Sequence, residues 1–213
     1  MNISIADIRK DYKLASFDEK DAAADPILQF TKWWNEAIKS NIDEVNAMTL
    51  ATVSKDGMPS ARIVLLKGYN EHGFVFFTNY LSDKGKEMAQ NPKVALVFFW
   101  KELERQIRIE GSVEKVSEAD SDTYFASRPI GSQIGAWSSP QSAVIQYRQV
   151  IEQNVTKYNE IFGATNIPRP EHWGGYIVTP HLIEFWQGRS SRLHDRIQYR
   201  LDDEKWIMER LAP

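Results

Sequence analysis

The run MTLATVSKDGMPSARIVLLKGYNEHGFVFFTN, residues 48–79, holds three apolar segments separated by turn patterns. Lys55-Asp56-Gly57 closes MTLATVS (48–54), and Asn70-Glu71-His72-Gly73 separates SARIVLLKGY (60–69) from FVFFTN (74–79). Short β-prone runs joined by such turns predict consecutive antiparallel strands. Downstream, Ser82 caps a short helix over DKGKEMAQ that Asn91-Pro92 stops. KVALVFFW (93–100) is apolar throughout, which predicts a strand buried on both faces, whereas RQIRIEGSVEKV (105–116) alternates and predicts one wet face.

Farther along, Ser117 and Asp120 have capping-box spacing for a helix over 117–125. SRPIGSQIGAWSSPQS (127–142) reads as a polar loop, and a longer helix is expected over 142–162, ended by Gly163. GGYIVTPHLIEFWQG (174–188) predicts one or two strands, and RIQYRLDDEKWIMERL (196–211) a hairpin turning at Asp202-Asp203-Glu204. Upstream, residues 1–24 read as a mobile charged arm with a helical fragment, IADIRKDYKL. Asp25-Pro26 then opens a helix whose apolar face is Ile27, Phe30, Trp34 and Ile38. Strands joined by tight turns, with helices between groups of them, predict an α+β protein: an antiparallel barrel with flanking helices, one domain over 25–213. No G-x-G-x-x-G motif is present and strands do not alternate with helices, which excludes a doubly wound dinucleotide fold.

Composition narrows the function. Of 213 residues 42% are hydrophobic, enough for a core, and the net charge of −3 is unlike that of a nucleic-acid binder. The absence of cysteine removes disulfides, thiolate metal sites and Fe–S clusters, and the four histidines are scattered, so no metal site is expected. No signal-peptide run and no apolar stretch of membrane-helix length occurs, so the expectation is a cytoplasmic protein with no membrane partner.

Four clusters carry potential chemistry. Arg62 and Lys67 bracket four apolar residues on a strand, and alternation sends them to opposite faces. Two phosphate-bearing ligands, or a subunit interface, would give both a role; otherwise they are solvated strand-edge charges. Phe77-Thr78-Asn79 with Ser82-Asp83-Lys84 stands at a helix N-terminus, where N–H groups and a lysine suit an anion, although Asp83 opposes one and an ordinary capped helix explains the pattern equally well. Tyr124 and Arg128, four apart, share a helix face and with Ser132 suit a phosphate, although Arg128-Pro129 equally reads as a plain helix stop; Gln141 and Ser142 follow. Trp186-Gln187-Gly188 precedes Arg192-Leu193-His194-Asp195-Arg196, where two fork-shaped donors flank a switchable proton carrier. Most tryptophans are expected to be core, Trp33 and Trp34 among them; Trp186 is the one expected beside a ring system.

IEFWQG-x-x-x-RLHDR (183–196), ERLAP (209–213), RIVLLK (62–67), FFTN (76–79), SRP-x-x-SQIGAWSS-x-QS (127–142) and HWGGY (172–176) together resemble the pyridoxamine 5′-phosphate oxidase family over nearly the whole chain, Arg9 to Pro213. The resemblance implies an FMN-binding split β-barrel of Greek-key-like connectivity and a homodimer with two FMN molecules at the subunit interface. It implies oxidation of pyridoxamine and pyridoxine 5′-phosphates to pyridoxal 5′-phosphate, with dioxygen reduced to hydrogen peroxide. FMN would be held by Arg62, Ile63, Val64, Leu65, Leu66, Lys67, Phe77, Thr78, Lys84, Gln106, Gln141, Ser142, Trp186 and Arg196. Lys67, Tyr124, Arg128 and Ser132 would take the substrate phosphate. Arg192, Leu193 and His194 would face the pyridine ring, with Arg192 and His194 catalytic, and the arm residues Arg9, Lys10, Asp11 and Tyr12 would close over it. Two positions depart from the pattern: Asp83 replaces a second base near the FMN phosphate, and Lys10-Asp11 stand where Arg-Glu is common. Two rivals are a split-barrel flavoprotein with another substrate, such as a flavin reductase, and a non-enzymatic carrier of pyridoxal 5′-phosphate.

Overall fold

The computed structural model describes residues 4–8, 10–163 and 165–213. The helices are α1 (Pro26–Lys39), α2 (Asp83–Gln90), α3 (Glu118–Ala126), α4 (Ile130–Ser138) and α5 (Gln149–Phe162). The strands are β1 (Ala47–Val53), β2 (Pro59–Leu65), β3 (Gly68–Asn70), β4 (Gly73–Asn79), β5 (Lys93–Trp100), β6 (Arg105–Lys115), β7 (Trp173–Gln187), β8 (Asp195–Asp202) and β9 (Lys205–Leu211). Their hydrogen-bonded order is β2-β1-β5-β6-β7-β4-β3, with β8 on β7 and β9 on β8. The four pairs β3–β4, β4–β7, β7–β8 and β8–β9 are antiparallel, which makes the class α+β as expected.

The chain forms two compact units. The first comprises Met1–Thr49, Ala95–Glu110 and Pro180–Pro213. Its core gathers around α1, which begins as the sequence predicts: the Asp25 carboxylate accepts from Ile27 N and Leu28 N, with Pro26 in the first turn. The buried face, however, is Pro26, Gln29, Phe30, Trp33 and Ala37, while Ile38 is exposed. Trp33 takes the central place because its ring meets Phe17 at 5.0 Å and Phe185 at 5.3 Å and lies beneath the Arg105 guanidinium at 4.3 Å. A single turn of 3₁₀ helix at Ile5–Asp7 replaces the expected helix over 5–14; residues 10–18 form no regular element. The β8–β9 hairpin turns where predicted, with Asp203 (φ 43°) and Glu204 (φ 65°) left-handed between Asp202 and Lys205, as a two-residue primed turn requires.

The second unit comprises Leu50–Val94 and Gly111–Thr179. β4 pairs with β7 through Phe74–Asn79 and Trp173–Val178. Ser82 caps α2 by accepting from Gly85 N, and Ser117 caps α3 by accepting from Asp120 N. Three expectations are corrected here. The segment 60–69 is two strands, broken at Leu66-Lys67. The supposed loop 127–142 contains α4, whose Ile134 and Ala136 are buried; Gly131, Gly135, Ser132 and Ser138 mask a helix that packing stabilises. The next helix starts at Gln149 rather than 142, after an irregular stretch in which Ser142 is left-handed (φ 70°).

β5 is also corrected. Val94, Leu96, Phe98 and Trp100 are buried, but Phe99 is 55% exposed, so one face only is covered by this chain. An apolar run says that a strand tolerates burial on both sides, not that its own chain supplies both covers.

Candidate active site

The second unit encloses a cavity of about 580 Å³ whose wall begins with β2. Ile63, Val64 and Leu65 line it, followed past the strand end by Lys67, whose backbone N–H donates to Val75 O at 2.8 Å. β4 contributes Phe77, Thr78 and Asn79; α2 contributes Lys84; α3 contributes Tyr124, the turn after it Arg128, and α4 Ser132. Phe77 stacks on Tyr124 at 3.9 Å between centroids and on Trp173 at 5.6 Å, forming an aromatic wall. Gly175 makes that wall possible, because a Cβ there would lie 2.7 Å from the Phe77 ring. The Arg128 guanidinium lies 4.5 Å over Trp173, so the charge is partly backed by a ring face.

Three cations line this cavity and no carboxylate does among its described lining residues. Burial holds Lys84 below the ordinary lysine range, with nearby Arg62 adding to the effect, and burial lowers Arg128 as well. Arg128 Nη1 is buried and finds no hydrogen-bond acceptor among the described residues. A buried guanidinium nitrogen left unpaired is costly, so the arrangement favours an incoming anion. Lys84 Nζ and Thr78 Oγ1 both donate toward Gln141 Oε1, at 3.2 and 3.5 Å.

Arg62 stands apart. Its guanidinium is paired with Glu87 at 3.2 Å and bonded to Ser60 and to the Thr52 hydroxyl, and it is not part of the lining. Lys67 lines the cavity and Arg62 does not, and the break after β2 cuts the alternation from which opposite faces were argued. Leu66 is buried, and Ser142 is exposed outside the lining. Asp83 is exposed and does not line the cavity, so its charge does not face an anion bound there.

In the first unit, a pocket of about 480 Å³ is lined by Lys10, Asp11 and Tyr12 of the arm and by Arg189, Ser191, Arg192 and His194. Ser191 (φ 56°) and Arg192 (φ 60°) are both left-handed, which folds the loop tightly. Arg189 N donates to His194 Nδ1 at 3.1 Å, and the imidazole packs 4.5 Å from Trp186. That bond makes Nδ1 an acceptor and leaves the proton of the neutral ring on Nε2. Burial, followed by the neighbouring Arg192 charge, lowers the His194 pKa. Leu193 is exposed. Arg196 Nε donates to the buried Glu184 at 2.7 Å, and Gln106 is half-buried on β6. Arg9 lies outside the described residues. Among the described residues no group of three metal-ligating side chains occurs, and no helix is long and apolar enough to cross a membrane.

Residues 34–162 match the pyridoxamine 5′-phosphate oxidase family, and residues 173–213 match the pyridoxine 5′-phosphate oxidase C-terminal dimerisation region. The chain belongs to the pyridoxamine 5′-phosphate oxidase family. A pyridoxine/pyridoxamine 5′-phosphate oxidase of Acaryochloris marina is 57% identical over 99% of this chain and 96% of its own. The like-named protein of Cupriavidus pinatubonensis is 57% identical over 98% and 99%. Among solved structures, PhzG from Burkholderia lata in complex with tetrahydrophenazine-1-carboxylic acid superposes with a TM-score of 0.88 at 28% identity, over 93% of this chain and 98% of that one. A pyridoxamine 5′-phosphate oxidase-related, FMN binding protein from Nostoc punctiforme gives 0.71 at 17% identity, over 90% of this chain and all of its own, and shares the fold.

For a member of the pyridoxamine 5′-phosphate oxidase family, the sequence brought most of the expected set to two places. It missed Trp173, Ser139 and the small residues Gly135 and Ala136 of the cavity wall. HWGGY was visible as a motif, but nothing in it says that Trp173 backs an arginine two helices away in sequence.

Proposed function

We infer that this chain is an FMN-dependent oxidase that converts pyridoxine and pyridoxamine 5′-phosphates to pyridoxal 5′-phosphate, with dioxygen as the final acceptor, reduced to hydrogen peroxide. Membership of the family and full-length relatives of that name support the activity. The observation that carries it here is the cavity with three cations, no carboxylate among its described lining and an unsatisfied buried Arg128 nitrogen. A binder of phosphorylated small molecules needs such a lining.

The same lining fits FMN. Lys84, Thr78 and Gln141 would hold the cofactor through charge-assisted and neutral hydrogen bonds, with Arg62 contributing long-range charge, and Ile63–Leu66, Phe77, Gln106, Ser142, Trp186 and Arg196 complete the proposed set. When bound, FMN supplies a two-electron acceptor. Lys67, Tyr124, Arg128 and Ser132 anchor the substrate phosphate, and the Phe77–Tyr124–Trp173 wall keeps water from that side. His194 presents Nε2–H as a donor to the pyridine ring, and Arg192 adds a fixed positive charge beside it; both orient the substrate and stabilise charge that develops on it. We place Leu193 and the arm residues Arg9, Lys10, Asp11 and Tyr12 around the substrate. The working form is a homodimer, consistent with the C-terminal dimerisation region and with the exposed Phe99 face of β5. A cytoplasmic location fits the lack of cysteine and, among the described residues, of a membrane-length helix.

Steady-state kinetics with phosphorylated and unphosphorylated pyridoxine tests this reading. Arg128→Met is expected to raise KM for pyridoxine 5′-phosphate by roughly tenfold to a hundredfold, the loss of one or two charge-assisted bonds. Flavin content should stay unchanged. An unchanged KM, or equal use of unphosphorylated pyridoxine by the wild type, contradicts it.

A further inference from the structure

Glu104, which neither the proposed cofactor set nor the substrate set includes, joins two parts of the loop pocket through its two ends. It follows a 3₁₀ turn at Lys101–Leu103 and is left-handed (φ 54°), with its side chain only 7% exposed. Its backbone carbonyl accepts from Gly188 N at 2.7 Å and from Gln187 Nε2 at 3.3 Å, which fixes the root of the loop carrying Arg192 and His194. Its carboxylate turns to the arm: Oε2 accepts from Lys13 N at 2.9 Å and Leu14 N at 3.0 Å, and Oε1 pairs with Lys10 Nζ at 3.2 Å. These bonds hold the carboxyl below the usual glutamate range in spite of its burial.

The segment so gripped is the one that covers the pocket. Tyr12 lies edge-on to Trp186 at 5.8 Å and 6.1 Å from His194, and it packs so closely on Gly188 that a Cβ there would be 2.8 Å from its ring. A second carboxylate acts further along: Asp195 accepts from Phe17 N at 3.0 Å while pairing with Arg189 and Arg210. Two of the three bonds at the Glu104 carboxylate come from backbone amides, so most of the grip does not depend on which side chains the arm carries.

We propose that Glu104 is a positioning residue for the oxidation, the latch that holds arm residues 10–14 over the Arg192–His194 pocket and so sets the affinity for the B6 substrate. The proposal rests on the oxidase reading for its substrate, but the latch itself can be read without turnover. In the FMN-loaded protein, Glu104→Ala is expected to speed amide hydrogen exchange at Lys13 and Leu14 at least tenfold. It should raise KM for pyridoxine 5′-phosphate about tenfold with kcat changed less than threefold. Glu104→Gln, of the same shape and still an acceptor, should give smaller changes in both, and it carries the test if the alanine variant does not fold. Unchanged exchange at those two amides, or faster exchange with an unchanged KM, overturns the proposal. If the wild type oxidises neither vitamer, the functional reading falls instead, and the exchange rates alone still decide whether Glu104 holds the arm.

Discussion

His194 shows how a single backbone donor sets a side chain's chemistry. Arg189 N–H on Nδ1 fixes the tautomer of the neutral ring, while burial and then the Arg192 charge lower the pKa below the ordinary 6.5. The neutral form then persists as pH drops through 6.5 and is lost only lower down. A pH profile of kcat/KM should accordingly keep its His194-dependent acid limb below pH 6.5, and His194→Ala should slow turnover, remove that limb and leave FMN bound. Arg192→Ala should also slow turnover without releasing FMN. Wild-type rates in both variants would end the catalytic assignment. Asp195, whose neighbours alone suggest no role, is explained by its partners Phe17 N, Arg189 and Arg210. No spacing rule announces such contacts, because Phe17 and Arg210 are remote from it in sequence.

Helix α1 and strand β7 mark the limits of periodicity at the scale of the element. The cap and length of α1 follow from Asp25-Pro26, but its buried stripe was offset, since Gln29 replaces an apolar residue and Trp33 rather than Trp34 turns inward. Replacing Trp33 by Ala should cost about 3–5 kcal/mol, a large share of typical domain stability. Chemical denaturation reads this directly; a loss under about 1 kcal/mol would refute the central place given to that ring. Strands with clear turns (β1, β4 and the β8–β9 hairpin) were legible because local residues dictate them. α4 was not, because Gly131, Gly135 and its serines lack helix propensity and its stability comes from burying Ile134 and Ala136. In the cavity, Gly175→Ala should push Phe77 off Tyr124 and raise KM for the phosphorylated substrate several-fold, as the same kinetic assay would show.

The molecule as a whole presents one device in each of its two units: a cation-lined cavity and a loop pocket capped by an arm. Sequence motifs named many members of both, since their order and spacing matched a family, but Trp173, Arg189, the ion pair that occupies Arg62 and the unsatisfied nitrogen of Arg128 emerged only from the structure. The dimerisation match predicts a particle of twice 24.6 kDa in sedimentation equilibrium at micromolar concentration; a monomer would contradict the homodimer. The central claim is that the cavity and loop serve the oxidation of a phosphorylated B6 vitamer. Oxygen uptake by the FMN-loaded protein, followed together with aldehyde formation, tests it most directly. Addition of pyridoxine 5′-phosphate should start uptake matched by pyridoxal 5′-phosphate; folded, flavin-loaded protein that consumes no oxygen with either vitamer would contradict it.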